Sequence, residues 1–294
     1  MQVQVLTKRS VRESFTQDTV VATDVVHPLI GCLLEAEGVI GKSDWRPFND
    51  FQKSLLHRLA HNRDLSAFEK ELQSIASFDV DEINRFLEDS GFSISLNPFT
   101  NPQSFGVASV LVVNVQWKKK GEEEKVFFGG KAYPAVRQKG FLARSRAHNE
   151  PIVAIETQNG DTVFLTKAPH PLKSDELYPW VKEVSGAVSV SGSASVIFPC
   201  ASLHQTKHLH ELLDMEIDDG KYFIGQALQE TKFKLDLLGA KVESAAAMEL
   251  VFRSVRLSES ETVVIDHPFV CWIRRNGIID PYFMGYIPES AWKL

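Results

Sequence analysis

Fourteen consecutive residues, Ala240 to Arg253, alternate between two faces. One face carries Ala240, Val242, Ser244, Ala246, Met248, Leu250 and Phe252; the other carries Lys241, Glu243, Ala245, Ala247, Glu249, Val251 and Arg253. Successive strand residues point to opposite faces, and an ordinary strand runs about 5–6 residues. A period-two pattern of more than twice that length constrains the fold more than any other feature of the chain. Its centre, Ala245-Ala246-Ala247, is made of a residue depleted in strands and favoured in helices, so pattern and propensity disagree. Two readings are open. One is an ordinary amphipathic element, a helix continuing into a strand. The other is a segment that lives outside a sheet and also enters it, with small side chains at Ser244 and Ala246 that avoid overpacking a close-packed core.

Elsewhere the apolar period divides the chain. Phe48, Phe51, Leu55, Leu56 and Leu59 keep the i, i+3/i+4 spacing of one buried helical face. The stretches Phe68–Ile75 and Asp79–Leu87 repeat it, with Asp79 as N-cap and Gly91 as stop. Val107–Val115 is a continuous β-branched run that reads as a strand buried on both faces. Gly129-Gly130 and Asn159-Gly160-Asp161 read as hairpin turns, the second between Ile152–Glu156 and Thr162–Leu165. Leu209–Met215 reads as a short helix, and Asp218-Asp219-Gly220 as a polar turn. From Thr231 the pattern is mostly strand, ending in Phe269–Ile273 and Tyr282–Tyr286. Helices first and strands later imply an α+β class in one domain over residues 1–294, mainly helical to about residue 100 and mainly β from about 105.

Composition excludes several functions. The 32 Lys and Arg against 38 Asp and Glu give a net charge of −6, unlike a nucleic-acid or membrane-surface specialist. No apolar run approaches the roughly 20 residues of a membrane span. The opening MQVQVLTKRSVRESF lacks a secretory apolar core, so a cytoplasmic chain, or one exported without a classical signal peptide, is expected. Cys32, Cys200 and Cys271 are too few for a disulfide framework. Cys200, His204, His208 and His210 lie close in sequence but lack paired zinc-ligand spacing, and His57 and His61 lack the intervening acid of a zinc-protease helix. No metal and no cofactor are expected. Lys118-Lys119-Lys120 and Glu122-Glu123-Glu124 cancel and read as a solvated turn. Nucleophile-elbow, phosphate-loop and dinucleotide motifs are absent, so no enzyme is expected.

The remaining motifs resemble the serpin superfamily. Asp266-His267-Pro268-Phe269 through Asn276 is similar to the family's DHPF strand, and Phe283-Met284-Gly285 to its terminal FMG strand. Val110-Leu111-Val112-Val113-Asn114 resembles the central strand ending in a buried Asn. Lys131–Phe141, with Gln138 and Gly140-Phe141, resembles the strand-turn pair that follows. Thr231–Asp236 stands where the family's strand leads into its reactive loop, Ala245-Ala246-Ala247 matches the hinge of that loop, and the HPLIG at His27 is similar to the family's SPxSI. The resemblance implies three β-sheets, a reduced N-terminal helical cluster and a long reactive loop near residues 239–262. The implied function is protease inhibition as a suicide substrate, with the cleaved loop inserting into the central sheet.

On that resemblance the loop hinge comprises Gly239, Val242, Glu243, Ser244, Ala245, Ala246 and Ala247. The scissile candidates are Arg253, Ser254, Val255 and Arg256, with Arg253 or Arg256 suited to a trypsin-like serine protease and Val255 to an elastase-like or cysteine protease. The chain departs from the family in placing Gly239 early and in having Leu237-Leu238 for the usual acidic pair. It also has Glu230 where a buried His normally sits and His27 for the first family serine. His27 and Glu230 are therefore expected to meet near Asn114 as a buried polar cluster under the sheet, because an unpaired buried Glu costs several kcal/mol. The partner expected is a serine or cysteine protease, met by a monomer, with no nucleic acid and no membrane. The alternative is a non-inhibitory serpin-fold binding protein, cleaved without trapping or binding through its loop or helical face.

Overall fold

The computed structural model describes residues 21–113, 115–186, 188–240 and 261–294. Gly129 and Gly130, with φ of 56° and 79°, join β5 (Glu122–Phe128) to β6 (Lys131–Ser145) in the two-residue turn whose twist suits a hairpin. β6 pairs with β9 (Val188–Pro199) on one side and with β7 (His148–Glu156) on the other. The Asn159-Gly160-Asp161 turn leads from β7 to β8 (Thr162–Lys167), as its sequence requires. The sheet continues to β16 (Phe269–Arg274), β17 (Phe283–Ile287) and β1 (Ala22–Asp24), and ends beyond β9 at β15 (Glu261–Val264). That makes nine strands with β5, and β15 beside β9 is the one parallel pair among the described strands.

The DHPF and FMG stretches lead into β16 and β17, neighbouring inner strands between β8 and the edge strand β1. Phe269, Cys271, Ile273, Phe283 and Ile287 face the main core, while Val270, Trp272, Met284 and Tyr286 pack against Leu177, Val181 and Val184 of a helix, Ser174–Gly186. Trp272 stacks on Phe164 at 5.0 Å.

Among the described residues there are three further α-helices: α1 (His27–Ile40), α2 (Asp50–His61) and α3 (Val80–Asp89), with Ser174–Gly186 as α4. The Asn49 side chain caps α2 by accepting from the Gln52 N–H, and Asp79 caps α3 by accepting from the Asp81 N–H. Phe48 falls before α2 and is exposed, so the buried face starts later than its spacing suggests.

Three expectations are corrected. Phe68–Ile75 is not helical: after a 3₁₀ turn over Ser66–Phe68, β2 (Leu72–Ser77) pairs with β3 (Gly106–Leu111) from Leu72↔Leu111 to Ser77↔Gly106. Leu72 and Ile75, three apart, share a face of a helix but fall on opposite faces of the strand, where Leu72 packs on the main core and Ile75 on the α3–β3 cluster, so pairing with a distant strand decided the outcome. β3 stops at Leu111 and alternates buried with half-buried residues, because Ala108 and Val110 pack on α3 while the other face, with Ser109, turns toward Gly31 of α1. Leu209–Met215 holds no α-helix, just a 3₁₀ turn over His210–Leu212.

The remaining described strands are short pairs. β10 (Ala201–His208) pairs antiparallel with β13 (Leu228–Leu235) through eight positions, β11 (Glu216–Ile217) with β12 (Tyr222–Phe223), and β4 (Val115–Gln116) with β14 (Gly239–Ala240). Side chains of β10 reach β1: the Thr23 hydroxyl donates to Gln205 Oε1 at 2.7 Å, and Gln205 Nε2 donates to the Val21 carbonyl at 2.8 Å. Lys207 Nζ donates to the Thr23 carbonyl.

Candidate functional site

β3 and β13 face each other without pairing. Each runs toward the same end, because β4 follows β3, β14 follows β13, and β4 pairs with β14. β2 and β10 run the opposite way on the outside. Among the described residues no backbone hydrogen bond joins β3 to β13. Between them lies a cavity of about 920 Å³, lined by residues 106–113 on one bank and 228–234 on the other. This slot is the candidate site.

Its floor is α1, whose Pro28, Leu29, Cys32 and Leu33 line the cavity. Gly31 allows the close approach: a Cβ there would lie 2.4 Å from Ser109 Oγ and 3.0 Å from Ser74 Oγ. Burial pushes the Cys32 thiol up to about 12, so it stays protonated and unreactive.

The head of the slot is closed. Gly239 and Ala240 pair with Gln116 and Val115, the Trp117 N–H donates to the Leu238 carbonyl at 3.1 Å, and the Gly121 N–H donates to the Leu237 carbonyl at 3.0 Å. Trp117 Nε1 adds a 3.0 Å bond to the Asp236 carbonyl. Gly239 has φ of 138°, and a Cβ would stand 1.9 Å from the Val115 carbonyl oxygen. Glycine is required there to hold this closed pair.

The bank formed by β2 and β3 is fastened to the large sheet through Arg275. Its Nε and Nη2 donate to both Asp161 oxygens at 2.9 and 3.1 Å, Nη2 reaches Glu71 at 3.1 Å, and Nη1 reaches the Ala67 carbonyl at 2.6 Å. Asp161 is fully buried and also accepts from the Tyr282 hydroxyl at 2.9 Å.

Glu230 is the buried acid of the other bank. One oxygen accepts from the Ser93 N–H at 2.6 Å, the Ser93 hydroxyl at 3.0 Å and the Ile94 N–H at 3.0 Å. The other contacts His204 Nε2 at 2.7 Å and Lys232 Nζ at 3.0 Å. Burial works against its charge, but Lys232, the Ser93 N–H, His204 and the Ser93 hydroxyl together hold its pKa down at about 2.

The expected pairing of His27 with Glu230 is not formed. Among the described residues neither buried ring nitrogen of His27 has a hydrogen-bond partner, and its ring lies 4.8 Å from Phe68. Glu230 lines the cavity whereas His27 does not, being packed instead against Phe68. Burial first, and the Arg58 charge second, lower the His27 pKa to about 4. Of the expected hinge, Gly239 is placed in β14. Asn114, Val242, Glu243, Ser244, Ala245, Ala246, Ala247, Arg253, Ser254, Val255 and Arg256 lie outside the described residues.

His208 stacks on His210 with centroids 5.8 Å apart, and among the described residues no group of three or more His, Cys, Asp or Glu could hold a metal. No described helix is long and apolar enough to cross a membrane. The sequence reading missed Ser93, Ile94, Lys232 and Arg275. The signal for the first two was the alternation of residues 91–97, where Phe92, Ile94 and Leu96 are apolar and the residues between them small or polar.

No family model matches the chain, and no curated protein matches its sequence. Solved structures do. Serpin48, a highly specific serpin of the insect Tenebrio molitor, aligns over 90% of this chain and 91% of its own, with a TM-score of 0.55 and 12% identity. Human thyroxine-binding globulin complexed with thyroxine aligns over 92% of both chains, with a TM-score of 0.55 and 11% identity. A serpin from Schistosoma mansoni aligns over 91% of this chain and 95% of its own, with a TM-score of 0.56 and 12% identity. The chain has the α+β serpin fold.

Proposed function

We propose that this serpin-fold chain is a protease inhibitor acting as a suicide substrate. The observation that carries the reading is strand direction. The four strands around the slot run down, up, up and down, and a segment leaving Ala240 downward would complete a fully antiparallel sheet. The residues that follow Ala240 are those with the fourteen-residue alternation, and one of their faces is small or apolar throughout. Each hydrogen bond gained contributes about 0.5–1.5 kcal/mol. A strand bonded along both banks therefore outweighs the few pairs lost when β4 and β14 separate.

In this reading the protease nucleophile bonds to the carbonyl carbon of Arg253 or Arg256, the adjacent C–N bond breaks, and the new amino terminus leaves on Ser254 or Leu257. The acyl-enzyme is carried along as the loop inserts. The two arginines suit a trypsin-like serine protease, and Val255 suits an elastase-like or cysteine protease. The chain itself performs no catalysis, and it works as a monomer in the cytoplasm or after export without a classical signal peptide.

A second reading is a non-inhibitory binding protein of this fold. The closed head favours it, since Gly239 is committed to the β4–β14 pair rather than free to act as a hinge. Mixing the chain with equimolar trypsin separates the two. The inhibitor reading expects a denaturant-stable complex of summed mass, and the new amino terminus names the scissile bond. Cleavage between residues 244 and 260 with no complex against trypsin, elastase or a papain-like enzyme, and no gain in heat stability, supports the binding protein instead.

A further inference from the structure

Residues 91–97 lie as an extended strap across the slot, and the two banks hold it by different means. On the side of β3, Phe92, Ile94 and Leu96 pack against Ile83, Leu87, Ala108 and Val110. There Asn84 of α3 grips Leu96 twice: its Nδ2 donates to the Leu96 carbonyl at 3.0 Å and its Oδ1 accepts from the Leu96 N–H at 2.8 Å. On the side of β13 there is no backbone ladder to the strap among the described residues. Side chains do the holding: Glu230 and Lys232, one strand period apart on β13, and Gln226 just ahead of it. Lys232 Nζ donates to the Gly91 carbonyl at 2.7 Å, and Glu230 accepts from Ser93 and Ile94. Gln226 Oε1 accepts from the Asn97 N–H at 2.8 Å, and Gln226 Nε2 donates to the Asn97 carbonyl at 3.1 Å.

Glu230 and Lys232 lie on one face of β13, opposite the buried Gln229, Thr231, Phe233 and Leu235, and Gln226 precedes the strand. The strap answers with Gly91, Ser93 and Asn97 toward β13 and its apolar residues toward α3. It therefore spans the gap, anchored by apolar packing and Asn84 to one bank and by replaceable polar contacts to the other.

We infer that Glu230 is a latch: its carboxylate, seated on the successive N–H groups of Ser93 and Ile94, fastens the strap across the slot and sets the rate at which a strand is admitted between β3 and β13. The inference rests on the proposed insertion, because a latch matters only if something passes. A carboxylate suits the role, since it accepts three strap hydrogen bonds on one oxygen while Lys232 and His204 hold the other, and a charged acceptor makes the stronger bonds. Releasing the strap from β13 leaves it docked on α3 and β3 and opens one bank.

The test uses Glu230→Gln in the full chain, which keeps the side-chain volume but replaces an acceptor oxygen with a donor facing other donors. Two readouts are taken. In the uncut protein, hydrogen exchange at the Ser93 and Ile94 amides is expected to quicken at least tenfold while Ile83–Leu87 of α3 stays protected. After limited trypsin cleavage of the loop, the heat-resistant form is expected to appear at least tenfold faster than in the parent. Unchanged exchange at Ser93 and Ile94 overturns the latch whatever the loop does. Faster exchange with an unchanged rate of stabilisation overturns the strap as the barrier and leaves the inhibitor reading standing. If neither protein gains heat resistance after cleavage, both readings fall. Gln226→Ala, which leaves Glu230 in place, is the milder variant should Glu230→Gln not fold, with a smaller acceleration of the same sign at Asn97 and in stabilisation expected; no acceleration overturns the latch.

Discussion

The large sheet and the slot strands use similar residues to opposite ends. In the large sheet β16 is flanked by β8 and β17, and its residues from Phe269 to Ile273 are buried on both faces. A one-residue slip there would displace every apolar contact, so the register is fixed. Among the described residues β3 and β13 each have one partner and one bare edge facing the cavity. A bare edge is a standing invitation to another strand, and this chain guards it with the strap and the closed head. The difference teaches that rigidity and receptivity are set by how many edges are paired, not by how apolar the strand is.

The sharpest way to break the comparison is to unfasten the two regions. Asp161→Ala leaves the Arg275 charge without its main buried partner and is expected to cost about 3–5 kcal/mol in urea unfolding. A loss below about 1 kcal/mol would show that Glu71 suffices and that the bank does not depend on the large sheet.

Acid acts next. His27 is neutral in the fold down to about pH 4, under burial and the Arg58 charge, with Asp280 opposing and Arg275 assisting, whereas it protonates near 6.5 when unfolded. Stability is then full above pH 6.5 and falls as pH drops toward 4, by about 3 kcal/mol when both steps are complete. Glu230 adds a separate loss at lower pH, between its ordinary 4.5 and about 2. Denaturant titrations of His27→Leu should lose the upper window and keep the lower one; an unchanged upper window removes His27 from the account.

Gly31→Ala forces a methyl against Ser109 and Ser74 and is expected to cost about 1–3 kcal/mol by overpacking the slot floor. Calorimetry showing no change would mean that α1 and the β2–β3 pair separate freely. The smallest effect compares two thiols, one in each region. Cys32 lines the slot and Cys271 is fully buried in β16, and burial raises the pKa of both. Local opening should expose Cys32 first, so a thiol reagent is expected to modify it at least tenfold faster than Cys271 under native conditions. Equal rates would make the whole chain one cooperative unit.

What the sequence disclosed was local. Asp79 caps α3 because its carboxyl meets an N–H two residues on, and the two hairpin turns form because Gly129, Gly130 and Gly160 take positive φ. The slot was not legible, since Leu72–Ser77 and Gly106–Leu111 meet across a long stretch of chain and neither carries a mark of its partner. Glu230 reads as a buried acid needing partners, yet two of its three bonds to the strap come from the backbone N–H groups of Ser93 and Ile94, so residue type alone does not name them, and the alternation of residues 91–97 marks no more than an extended segment. Family likeness and the need of a buried Glu for a partner put His27 in the same cluster, but its burial against Phe68 depends on the path of α1.

The contacts between β1 and β10 also define how the molecule bears load. A pull on Ala240 along β13 acts in shear on the eight paired positions joining it to β10, which must fail together. The same pull reaches β4 at two positions, Gly239 and Ala240, which peel one after the other. From β10 the tension passes through Gln205 and Lys207 to the three residues of β1, and so into the nine-stranded sheet. A force applied at the loop would thus part the head before it strained the body, with β1 as the rivet that decides where the molecule yields next.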